Sequence, residues 1–167
     1  MHHTRRQNAA HIRNFVFGVE DSLVSTVGLL SGIAVGGVPR SQIVLTGMVL
    51  LFVEAFSMAV GSLLSEQSAE EYLHHKEVSL RASATDSVIM FVSYFLAGLV
   101  TLMPYFGMES RNALPLSISL SLGYLFILGI VSAKLFGINL LKNGLRTFVM
   151  GGIAILVGVV ASLIFAQ

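Results

Sequence analysis

The chain has 167 residues, of which 54% are hydrophobic and 11% charged. With a mean hydropathy of +0.82 it cannot present a polar surface to water, which excludes a soluble domain. A net charge of +1 leaves no electrostatic footprint for nucleic acid, and the absence of cysteine excludes both a disulfide framework and a thiolate metal site.

Residues 1–14 form a polar N-terminal segment with Arg5, Arg6 and Arg13 and with His2, His3 and His11. It is too long and too polar to resemble the start of a cleaved signal, and it is expected to be mobile or interfacial. Five apolar runs follow in a transmembrane domain over 15–167, at about 15–38, 43–64, 87–106, 113–136 and 145–166. Each is near the roughly 20 residues that a helix needs to cross the hydrocarbon core. Gly36, Gly37 and Pro39 are expected to end the first run, Pro104 and Gly107 to close the third, and Pro115 to open the fourth. Gly137 and Asn139 follow the fourth run, and Asp86 reads as the N-cap of the third helix.

With the N-terminus inside, the cytoplasmic side receives Arg5, Arg6, Arg13, Lys76, Arg81, Lys134, Lys142 and Arg146, against Arg40 and Arg111 outside. The excess of positive charge marks the cytoplasmic loops, so the sequence predicts N-inside, C-outside. Five spans cannot divide into two equal halves, so any symmetry is expected from oligomerisation.

The first run carries Asp21, and beyond it Gly28, Gly32 and Gly36 make two overlapping small-xxx-small steps, with Asp21 and Ser25 continuing the face. Another helix can approach closely there, either from the same chain or from a second copy. Ala154, Gly158 and Ser162 form a weaker stripe in the last run, expected to pack within the chain. The second run carries Glu54 and, four residues on, Met58. A carboxylate inside hydrocarbon costs about 2.5 to 3.5 kcal/mol on insertion scales, so Asp21 and Glu54 are candidate sites for a proton or a cation. For Asp21 a helix-terminus role competes; Glu20 is expected at the interface or the headgroups. An oxygen donor beside a thioether suits a first-row divalent ion better than Ca²⁺ or Mg²⁺, although methionine in an apolar helix is commonly packing filler.

The segment at about 65–86 is the one long polar connection. If the second helix continues into it, Glu70 with His74 and Glu71 with His75 are i, i+4 pairs, and Glu66, Glu70, His74 and Glu77 share a side. Such a cluster could capture divalent metal on the cytoplasmic side; the alternative is a solvated polar helix with Lys76 and Arg81 as ion-pair partners. No Ser/His/Asp arrangement, HExxH or phosphate loop is present, so an enzyme is not expected.

The run F-V-F-G-V-E-D-S-L-V-S-T over 15–26 and the run E-A-F-S-M-A-V-G-S-L-L-S over 54–65, followed by Ser68, Glu70, Glu71 and Tyr72, resemble the vacuolar iron transporter family. The resemblance implies a homodimer that moves Fe²⁺ or Mn²⁺ out of the cytosol in exchange for protons, along a path at the two-fold interface lined by the first two helices. It assigns Asp21, Glu54 and Met58 to that path, with the metal as transported substrate and no permanent cofactor. Three departures stand out: Ser22 replaces the usual glycine after the aspartate, Ser62 replaces the acid after Gly61, and the long Glu-rich cytoplasmic domain shrinks to the Glu/His segment. A prokaryotic plasma membrane is expected from the economy of the chain. Two rival readings are a non-transporting assembly or regulatory subunit and a proton-coupled exporter of organic cations, for which Phe52 and Phe56 flank Glu54.

Overall fold

A computed structural model of the chain describes residues 2–76 and 80–165, which fold into five helices: α1 (His2–Val35), α2 (Arg40–His74), α3 (Leu80–Gly107), α4 (Ser110–Phe136) and α5 (Leu140–Phe165). All five are long and apolar enough to cross a membrane. The chain is thus an all-helical, multi-pass integral membrane protein.

The breaks follow backbone chemistry. Gly37 has a φ of 78° between α1 and α2, and Gly137 (φ 69°) caps α4 with its N–H on the Ala133 carbonyl. Such left-handed positions favour glycine, which has no Cβ to clash. Pro104 and Pro115 depart from the expected boundaries, since both lie inside helices. A proline is tolerated within a spanning helix when the carbonyl it frees finds another partner or the position is near the helix start, as for Pro115 in the second turn of α4.

The polar N-terminal stretch, expected to be mobile or interfacial, is helical and continuous with α1, which begins at His2. One further expectation is corrected. Asp86 is not an N-cap, because α3 starts at Leu80 and carries Asp86 two turns inside, buried. The alanines of R-A-S-A-T favour this earlier start, and Asp86 gains a partner from it: His11 Nδ1 lies 2.6 Å from its Oδ1. His11 therefore ties the base of α1 to α3.

Lipid is as apolar as leucine, so helix association here depends on close contact and interhelical hydrogen bonds. The helix α3 is central, packing on α1, α2 and α4 around a core of Leu30, Ile43, Leu51, Ala55, Tyr94, Leu102, Tyr105 and Ala113. Gly98 is closed in by Leu51 and Ser22, and Gly18 by Ser93 and Met90. Hydroxyls add polar ties: Thr101 Oγ1 and Ser121 Oγ are 2.9 Å apart, Ser117 donates to the Thr101 carbonyl at 2.7 Å, and Thr147 donates to the Leu125 carbonyl at 2.7 Å. At the start of α2, Arg40 donates from Nε to the Tyr105 carbonyl at 2.8 Å and from its guanidinium to the Phe106 carbonyl. A cation thereby closes carbonyls at the C-terminal end of α3.

The glycine stripe of α1 meets α5 of the same chain. A Cβ on Gly28 would stand 3.0 Å from the Ala154 carbonyl oxygen, and one on Gly32 would stand 2.5 Å from that of Gly158. Gly36 lies beyond the helix end and is exposed. The intrachain alternative therefore accounts for Gly28 and Gly32, and the Ala154 and Gly158 stripe is its partner. Substituting Gly158 with alanine should push the two backbones apart and destabilise by about 1 to 3 kcal/mol, seen as a lower unfolding midpoint in detergent. The same change at Gly152, which has open space around its Cβ position, should leave the midpoint unchanged.

Candidate functional site

The turn through Gly37 and Pro39 sends α2 back alongside α1. Asp21 lies about four turns before the end of α1 and Glu54 about four turns after the start of α2, so each is about 21 Å along its helix from that turn. The two acids sit at one depth on neighbouring helices, within electrostatic reach of each other. Both are half-buried.

Glu54 is held by two hydroxyls. Ser25 Oγ, one turn after Asp21, donates to Glu54 Oε2 at 3.3 Å, and the Tyr94 hydroxyl donates to the same oxygen. Ser25 Oγ and Tyr94 Oη are themselves 2.7 Å apart. Ser22 Oγ donates to the Tyr94 carbonyl at 2.6 Å and so anchors α1 to the helix bearing that tyrosine. Among the described residues Glu54 Oε1 carries no hydrogen bond, which leaves it available to a proton or a cation. A carboxylate oriented by donors on one oxygen is a preorganised ligand.

Met58 is half-buried and packs against the core that contains Ala55 and Tyr94. It lies one turn from Glu54, nearer the polar end of α2.

The polar extension of α2 is a helix as far as His74, so Glu70 and Glu71 have the helical spacing to His74 and His75 that the sequence allows. His75 ends the helix in a left-handed conformation with its N–H on the Glu71 carbonyl, and its ring is 6.4 Å from that of Tyr72. Glu71 Oε1 accepts from Gln67 Nε2 at 2.9 Å. Glu66 lies instead near α3, with the Asp86 carboxyl, Arg13 and Glu70 as electrostatic neighbours. Glu77 lies outside the described residues. Among the described residues no group of three or more His, Cys, Asp or Glu side chains is disposed to hold a metal ion.

Tyr94, the donor that fixes Glu54, is not among the residues that the sequence singles out. Its signal was a tyrosine in the middle of an apolar run rather than at a membrane edge, where tyrosine is usual. The His11 and Asp86 pair, 75 residues apart, was likewise not foreseen.

A five-helix membrane protein with an oriented carboxylate at intramembrane depth belongs to the class of ion-handling membrane proteins. The profile of the VIT family matches residues 12–86 and 76–162, which together cover most of the chain. The chain belongs to the VIT family, a family of membrane metal-ion transporters. A search of curated protein sequences found no match.

Tyr94→Phe keeps the ring in the core and removes one donor from Glu54. It should lower transport by about tenfold and also lower the unfolding midpoint, because the hydroxyl both aims the carboxylate and ties α3 to α1 and α2, and a hydrogen bond to a charged group contributes about 1.5 to 3 kcal/mol. Side-by-side flux and melting measurements check this.

Proposed function

We propose that this chain exports Fe²⁺ or Mn²⁺ from the cytosol in exchange for protons, as a homodimer whose path runs between α1 and α2 of the two copies. The observation that carries the reading is the pairing of Asp21 and Glu54 at one depth, with Glu54 oriented by Ser25 and Tyr94. The donor count points the same way. Two acids and a thioether are too few to replace the hydration shell of a divalent ion, and two-fold symmetry doubles them to two Asp, two Glu and two Met.

The mechanism follows from the cost of charge in hydrocarbon. A negative charge at this depth must be compensated, by a proton or by a cation. An arriving divalent ion takes the place of two protons, which keeps the site neutral, and its departure to the other side lets two return. Only the two neutral states, protonated and metal-loaded, cross the barrier cheaply, which couples metal flow to proton flow. Cations would be gathered first by the carboxylates and imidazoles of the cytoplasmic extension of α2.

The test is Fe²⁺ and Mn²⁺ flux into proteoliposomes containing a pH dye. Wild-type protein should show metal entry with matching proton exit, and Asp21→Asn and Glu54→Gln should each abolish both. Met58→Leu conserves volume, so it should keep the unfolding midpoint while weakening the apparent affinity for Fe²⁺ by about tenfold if the sulfur ligates. An unchanged affinity would return Met58 to packing.

A further inference from the structure

The polar ties of α4 divide between two neighbours. Near its start they go to α3, where Thr101 meets Ser117 and Ser121. Further along they go to α5: Thr147 donates to the Leu125 carbonyl, and Asn143 Nδ2 donates to the Gly129 carbonyl at 2.8 Å. A Cβ on Gly129 would stand 2.7 Å from Gly144 Cα, so α4 and α5 meet there at backbone distance. The first half of α3 is gripped instead by α1, with Gly18 against Ser93 and Met90. Drawn to different partners, α3 and α4 leave a groove of about 700 Å³ between them. Val88, Val92 and Leu96 of α3 form one wall, Ile127 and Val131 of α4 the other, and Leu23 of α1 is buried in the floor. The Ser93 hydroxyl is turned onto the Met90 carbonyl at 3.1 Å, and the surface that remains is almost wholly apolar.

Depth, length and charge together identify the occupant. The wall residues are exposed and belong to membrane-spanning segments, so the groove opens on hydrocarbon rather than on water. From Val88 to Val100 it runs about 18 Å along α3, close to the roughly 15 Å depth of one leaflet. That length suits an acyl chain. A partner's spanning helix would need about 30 Å, and the contact of Thr101 with Ser117 and Ser121 closes the groove halfway. A second copy is directed elsewhere, because Asp21 is two residues from both Val19 and Leu23, about 200° around α1, and so lies on the face turned away from the groove. At the end marked by Phe15, Val88 and Val131, the wall of α4 continues one turn on to Lys134, which is exposed in the last turn of that helix. Among the described residues Lys134 has no ion-pair partner. A cation at the membrane edge beside an acyl-sized groove is complementary to a lipid phosphate.

We propose that this groove is a binding site for one membrane phospholipid, with an acyl chain lying between α3 and α4 over α1 and the phosphate at Lys134. The chain supplies the contacts that the first half of α3 and the second half of α4 do not give each other, and so joins α1, α3 and α4 on this side of the bundle. The site is separate from the acids, and the inference does not depend on the transport reading.

The test uses the whole protein, delipidated in detergent. Native mass spectrometry should show one phosphatidylglycerol retained per protomer, and titration with that lipid should raise the unfolding midpoint, as a ligand of the folded state does. Val92→Trp and Ile127→Trp place an indole in the groove from opposite walls, each at an exposed position. Both should melt no lower than wild type without lipid, and both should lose the bound lipid and the rise in midpoint. Wild type should bind phosphatidylglycerol about fivefold more tightly than diacylglycerol with the same chains, and Lys134→Gln should bind the two equally. Folded tryptophan variants that retain as much phosphatidylglycerol as wild type overturn the proposal, since the lipid is then only part of the boundary layer. A wild-type midpoint that the lipid leaves unmoved overturns it too, as does a Lys134→Gln protein that still prefers the phosphate-bearing lipid. Tryptophan variants that lose self-association while keeping the lipid overturn it in favour of a second copy at the groove.

Discussion

Everything in this molecule depends on α1 being held at backbone distance by its neighbours. In hydrocarbon no hydrophobic effect presses helices together, and contact must come from surfaces with almost no side chain. Gly18 meets Ser93 and Met90 of α3, while Gly28 and Gly32 meet Ala154 and Gly158 of α5. Between these two grips lies the stretch with Asp21, Ser22 and Ser25. The depth and rotation of the acid are thus set by contacts in which an added methyl group would have to displace a neighbour, which gives the site the rigidity a charge in a membrane requires.

The same grip explains how polar groups survive inside the bundle. Ser22, Ser25 and Tyr94 would each be costly if left without a partner in lipid. With α1 and α3 in contact, Ser22 reaches the Tyr94 carbonyl, and the tyrosine hydroxyl reaches Ser25 and Glu54. Stability and chemistry share one set of bonds here. The hydroxyls that satisfy the helix interface also aim the carboxylate.

The five spans and the two acids within them were legible in the sequence, because length and hydropathy respond to the bilayer and a lone acid in an apolar run stands out. The family resemblance rested on short motifs around those acids, and the match over both halves of the chain establishes it. What the sequence could not disclose was partnership. A small-xxx-small stripe states that a helix comes close without naming which, and only the fold shows that α5 of the same chain takes Gly28 and Gly32. Asp86 resembled a cap because it stands at the edge of an apolar run, yet its hydrogen bond to His11 depends on a helix that starts earlier than hydropathy alone marks. Tyr94 was hidden for the same reason. Its role is defined by Glu54, 40 residues away.

The continuity of α2 has a mechanical consequence. It is one unbroken helix from Arg40, where its guanidinium is fastened to the end of α3, to His74, where its polar tip projects. Ile43, Leu51, Ala55 and Met58 seat the same rod in the core along the way, and Ser25 and Tyr94 hold it at Glu54. Glu54 lies about 21 Å from Arg40 and His74 about 51 Å, so the polar end is carried about 30 Å beyond the acid without a joint between them.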